Sequence, residues 1–312
     1  MEHVWTVLQA AFPVYCIIGL GILLRKLKVL TEEMDKGLML LVVHLLLPSL
    51  ILVNIVGNEA LMDVGLVAWA AGLGFVFVAG GFLVGYLSGG LLGLKKGGGK
   101  RTFAVSTGIQ NYGYMAIPLM AALFPGGNGL GVLLTHNVGV ELALWTVGIA
   151  MLTGELKPSL KMFLKGPIVA VVVALSVNWL GVSGSIPGSV TNVFTMLGNC
   201  AVPIALLTVG TTIYDLMQKA SFDWRVSLGG TVVRLFVIPA MMIGAVAMLP
   251  VTLELKQVII VQAAMPAAVF PIILARHYGG RPDVAVQVSV ATNVLCVITM
   301  PLVVAAGIHF VL

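Results

Sequence analysis

The residues of this chain that can do polar chemistry stand where polar residues are expensive. Between Ser106 and Leu119, an otherwise apolar run carries Gln110-Asn111-Tyr112-Gly113 and then Pro118, seven residues after Asn111. A second run carries Gln262, Pro266 and Pro271. Asn137 and Asn293 each stand inside a further apolar stretch, and Glu141 follows Asn137 by four residues, on the same face of a helix. Arg234 lies inside another, nine residues beyond Arg225. A helix interrupted by amides, glycine and proline leaves backbone groups unpaired, which hydrocarbon does not tolerate unless protein or a water-filled cavity supplies partners. The freed N–H groups at the start of a second half-helix, together with the helix dipole, hold an anion without needing a lysine. The chemistry these residues point to is therefore anion binding by broken helices. Plain proline kinks are the simpler reading of one such run, but two runs in corresponding positions favour paired breaks.

The elements that must position these residues are membrane helices. Of 312 residues, 59% are apolar or aromatic and 9% are charged, against about 25% charged in a soluble domain. With 17 Lys and Arg and 12 Asp and Glu, the chain cannot solvate a globule of its size, which excludes a soluble enzyme or a nucleic-acid binder. Apolar runs predict an all-α polytopic membrane protein with ten segments: 7–24, 36–56, 64–94, 102–124, 130–153, 166–182, 190–216, 226–249, 256–276 and 284–311. The start of the chain has no basic stretch and no small-residue cleavage site, so the first segment is expected to stay as a membrane helix.

Two regularities organise the ten. The pairs Pro13 and Pro167, Pro48 and Pro203, Pro118 and Pro271, and Asn137 and Asn293 are separated by 154, 155, 153 and 156 residues, which predicts a five-helix repeat, 1–154 and 155–312. An odd number of crossings inserts the second copy upside down, as in many secondary transporters. Of the 17 basic residues, 15 fall in alternate loops, with Lys256 opposite and Arg234 within a helix. That asymmetry places both termini outside and makes the formal net charge of +5 a topology signal rather than a nucleic-acid patch.

At this point the sequence resembles the auxin efflux carrier family, which includes the plant auxin exporters and bacterial carriers assigned to malate or malonate. The resemblance rests on Gln110-Asn111-Tyr112-Gly113 through Ile117-Pro118-Leu119, Met265-Pro266-Ala267-Ala268 with Ala275-Arg276-His277-Tyr278, and Leu46-Leu47-Pro48-Ser49-Leu50. Pro203-Ile204-Ala205-Leu206-Leu207 with Gly210, and Arg234-Leu235-Phe236-Val237-Ile238-Pro239, extend it over essentially the whole chain. It implies ten helices as a 5+5 inverted repeat. Helices 1, 2, 6 and 7 would form a scaffold, pairing as a homodimer, and helices 3–5 and 8–10 a transport bundle. Helices 4 and 9 would cross at the substrate site. Asn111 and Pro118 match the crossover asparagine and proline, and Pro266 and Pro271 the prolines of helix 9. Asn137, Gln262 and Asn293 complete the expected substrate-binding set. Glu141 and His136 depart from the pattern.

The expected function is a secondary carrier of small organic anions, a dicarboxylate or an auxin-like aryl acid, in the plasma (inner) membrane. The alternative is a channel or non-transporting sensor on the same fold. Glu141 and Arg234, whose depths in the membrane differ by only about 5 Å at a rise of about 1.5 Å per residue, carry coupling or charge balance, as a self-neutralising pair, a proton carrier or a substrate contact. Thr211 and Thr212 either bond back to their own helix or line a cation site. His44 has no second ligand at helical spacing, so no metal site is expected. No cofactor, ATP-binding GxxxxGK[ST], paired intramembrane carboxylate or activated nucleophile is present to make an enzyme; coupling to protons or sodium stays open.

Overall fold

The computed structural model describes residues 2–155, 166–219 and 223–312 and is all helical over them. The basic residues Lys157, Lys161 and Lys165 lie outside the described residues. Each apolar segment of the sequence coincides with helix to within five residues. Five are unbroken helices: α1 (Glu2–Lys26), α4 (Val64–Leu91), α9 (Gly166–Trp179), α10 (Gly188–Lys219) and α15 (Pro282–Val311). Three pass through one π-helical turn: α2 (Glu32–Leu41) into α3 (Leu47–Ile55), α7 (Gly129–Ala143) into α8 (Ile149–Thr153), and α11 (Trp224–Val232) into α12 (Ile238–Met248). Two are broken outright: α5 (Lys100–Gly108) from α6 (Ala116–Leu123), and α13 (Leu253–Ala264) from α14 (Phe270–His277).

Local sequence accounts for most of this. Asp63, Thr252, Thr31 and Asp223 cap α4, α13, α2 and α11, each side chain accepting from an N–H of the first turn. Two of the π turns, Val42–Leu46 and Val233–Val237, end two residues before a proline, Pro48 and Pro239. Proline has no N–H for the carbonyl one turn back, and the helix widens there by one residue. Pro13 and Pro203, by contrast, sit inside continuous helices.

α10 packs on both α1 and α3, with α9 against α3; α4 packs along α5 and α7, and α15 along α11 and α13. Glycines set the close approaches. Gly81, Gly85 and Gly89 lie against Gly108, Ala104 and Phe103 of the helix that follows, so the four-residue glycine spacing of this segment serves packing. Gly93 instead lies past the helix end at φ +79, which L side chains rarely adopt.

One ion cluster ties three helix ends together. Buried Arg25 of α1 pairs with Asp35 of α2, reaches Asp215 of α10 with Nε at 3.1 Å and donates from Nη1 to the Leu30 carbonyl at 2.5 Å. Thr211 donates to Asp35 at 2.8 Å, and Thr212 donates to the Thr208 carbonyl at 2.7 Å. The threonines therefore bond to a neighbouring carboxylate and to their own helix. Arg25, counted in the sequence as a loop charge, is part of the packed interior. His44 bonds to Leu40 one turn back through Nδ1, at 3.0 Å.

Candidate functional site

The two broken segments meet. Ile109 to Asn111 and Met265 to Ala268 run as a short antiparallel pair: Asn111 N donates to Pro266 O at 2.8 Å and Ala268 N to Ile109 O at 3.1 Å, flanking Gln110 and Ala267. Unwound backbone inside a membrane protein survives only if its polar groups find partners, and here the partners are nearly all protein. Met265 O accepts from Arg234, Ala267 O from Asn293 Nδ2 at 3.1 Å, and Ala268 O from the Ser289 hydroxyl at 2.8 Å. Ala267 N donates to Thr292 Oγ1 at 3.2 Å. In the other break, Tyr112 O accepts from Asn137 Nδ2 at 3.1 Å and from Gln262 Nε2 at 3.2 Å, while Gln262 Nε2 also reaches Asn137 Oδ1 at 2.9 Å.

The two asparagines play matching parts. Asn137 holds a carbonyl of the first break, 25 residues before it, and Asn293 one of the second, 26 residues before it. Each comes from the helix that follows the broken segment it holds, α7 for the first and α15 for the second.

The prolines do something simpler than kink a continuous helix. Pro118 is the third residue of α6 and Pro271 the second of α14, positions where a missing N–H leaves no helical bond unmade. Pro266 lies in the unwound stretch, where it supplies a carbonyl and no donor. The half-helices begin a few residues beyond the meeting point, and their first turns bond back to the turns before them, Ile117 N donating to Gly113 O at 3.0 Å and Ile272 N to Val269 O at 3.1 Å.

Asn111, Gln262, Pro266, Pro271 and Asn293 are buried around this crossing, and Asn137 is half-buried there. Pro118 instead reaches a cavity of about 510 Å³ between α3, α6, α7 and α10, whose wall includes Ile117, Leu130, Asn54, Asn199 and Val202. Among the described residues, no charged side chain lines that cavity.

The direct pair expected between Glu141 and Arg234 is not how either residue is held. Glu141 accepts from the Tyr112 hydroxyl and, at 2.7 Å, from Trp145 Nε1. Arg234 gives its hydrogen bonds to the end of α13: Nε to Met265 O at 3.0 Å, Nη2 to Gln262 O at 3.2 Å and to Ala263 O at 3.4 Å. The carbonyls at a helix C-terminus carry partial negative charge and attract a cation without any carboxylate, which is why similar depth in the membrane did not make these two charges partners.

Sequence reasoning passed over Tyr112 as a site residue, although its carbonyl and its hydroxyl join Asn137, Gln262 and Glu141 to one break. It also passed over Ser289 and Thr292. The signal for these two was present: Ser289, Thr292, Asn293 and Cys296 recur at helical spacing along one face of an otherwise apolar helix.

A family model described as membrane transport protein matches residues 6–163 and 155–304. An uncharacterized transporter of Methanothermobacter thermautotrophicus is 24% identical over 306 residues, 94% of this chain and 96% of the relative.

Proposed function

The chain belongs to the auxin efflux carrier-like family of membrane transport proteins, and from that premise we propose that it is a secondary carrier of small organic anions, carboxylates held at the crossing of the two broken helices. The observation that carries this reading is the reciprocal pairing of the breaks, Asn111 to Pro266 and Ala268 to Ile109, with α6 and α14 both starting beside it. The N-terminus of each half-helix favours negative charge beside it. Asn111 is then the amide nearest the carboxylate, and Asn137, Gln262 and Asn293 fix the backbone that binds it.

On this reading the ten segments form two inverted five-helix repeats. The matching parts of Asn137 and Asn293 support that relation, and so does the mutual pairing of the breaks. The group of α1, α2, α3, α9 and α10 is the scaffold, the surface through which two copies pair, and the remaining helices move against it in alternating access. Glu141, hydrogen-bonded to Tyr112 of the first break, is the proton-linked carboxylate. Both termini lie outside. A single cysteine at Lys96, in an otherwise cysteine-free protein, is therefore expected to stay unlabelled by an impermeant maleimide in intact cells and to label after permeabilisation; labelling in intact cells would reverse the orientation.

Reconstituted flux separates a carrier from a pore. Proteoliposomes tested with radiolabelled malonate, malate and indole-3-acetate are expected to show saturable uptake of at least one, accelerated when the same acid is preloaded inside. Flux that rises linearly with concentration and shows no counterflow would assign a channel instead.

A further inference from the structure

We propose that Arg234 is a tethered cation occupying the carbonyl cluster at the end of α13, the kind of place where a carrier with broken helices would otherwise bind a free coupling cation. In such carriers, unwound carbonyls and half-helix C-termini coordinate sodium. Here the carbonyls of Gln262, Ala263 and Met265 converge on one guanidinium. Arg234 is fully buried, and its remaining nitrogen, Nη1, has no hydrogen-bond partner. Its bonded partners are carbonyl oxygens, and a permanent positive charge taken out of water without a carboxylate is costly. The negative end of α13 offsets part of that cost. The rest favours an anion brought to the crossing, because Met265 O and Pro266 O are consecutive carbonyls of the same unwound stretch, one on Arg234 and the other on Asn111.

Arg234 is thus a positioning residue with two consequences. It fixes the end of α13 without a dissociable ion, so that no sodium or potassium need bind there for the site to be in order. It also leaves a standing positive charge behind the anion site. A structural clamp alone would explain the carbonyl bonds but would give no specific response to cations once the side chain is removed.

This inference rests on the crossing being the substrate site, but its test reads melting of the purified protein and needs no flux, so that either can fail without the other. Melting temperatures are measured at equal ionic strength in choline, sodium, potassium and guanidinium chloride. Wild type is expected to melt alike in choline, sodium and potassium. Arg234→Ala should melt lower in choline and regain about 5 °C, with saturation, as low concentrations of guanidinium or sodium fill the vacated carbonyls. Arg234→Lys keeps a tethered charge, and it should remain indifferent to sodium; it decides the question if the alanine variant does not fold. A saturating sodium or potassium shift in wild type would overturn the proposal. So would a folded Arg234→Ala protein that melts alike in every salt, or an Arg234→Lys protein that acquires sodium dependence.

Discussion

Asn137→Ala and Asn293→Ala are each expected to lower uptake per folded protein about tenfold or more, in proteoliposomes holding equal amounts of protein, and to lower stability by about 1–3 kcal/mol. Asn137→Ala strips Tyr112 O of one of its two donors and Gln262 of one of its two acceptors. Asn293→Ala leaves Ala267 O without its amide donor at 3.1 Å. In each case the change leaves the sequence of the break itself intact, so the loss reports the position of the unwound backbone. Aspartate is the sharper substitution. Asn137→Asp cannot donate to Tyr112 O and adds negative charge beside an anion site, so it should be worse than alanine for a carboxylate carrier. If the alanine variants melt lower but transport normally per folded molecule, the asparagines are struts and the crossing is not the site.

The second large effect concerns packing. Gly139 of α7 faces the backbone of Ala71 and Phe75 on α4, and Gly74 of α4 faces the carbonyl of His136. Likewise, Gly21 of α1 faces the carbonyl of Leu207, and Gly210 of α10 faces that of Ile18. These are reciprocal pairs, and a Cβ at any of the four would meet backbone, which cannot rotate out of the way as a side chain can. Alanine at Gly139 or Gly210 should therefore cost about 1–3 kcal/mol or more by forcing the helices apart, and valine should abolish folded yield. Gly72 and Gly19, on helices α4 and α1, have nothing within 4 Å of an added Cβ. Gly72→Ala and Gly19→Ala should be neutral or gain up to about 1 kcal/mol from helix propensity. Equal melting temperatures for Gly139→Ala and Gly72→Ala would show that the close approach carries no stability.

Much of this was legible in the sequence because the physics behind it is local. Twenty-odd apolar residues must cross a bilayer as a helix, so the ten runs mark the helical segments, and the clustered amides and prolines mark where two of them fail to continue. What could not be read was which partner answers each freed backbone group. Glu141 and Arg234 looked complementary by depth, but partner choice depends on which way each face points around its helix. Arg234 faces the end of α13 and Glu141 faces Tyr112. Arg25 likewise looked like a loop charge, because nothing local shows that Asp35, ten residues on in the next helix, and Asp215, far along the chain, converge on it. The prolines were legible as breaks, but not as first-turn residues of new helices, because the same sequence, Ala116-Ile117-Pro118, fits a kink until the chain is seen to leave the helix at Ile109 and to turn through residues 112–115.

On the proposed function, the carboxylate binds where the two breaks meet. The most direct test is an experimental structure of the purified protein with the organic acid that most raises its melting temperature. The bound carboxylate is expected against the first turns of α6 and α14, within hydrogen-bonding distance of the Asn111 amide. A carboxylate bound elsewhere, with the crossing filled by side chains and no space beside Asn111, would contradict it.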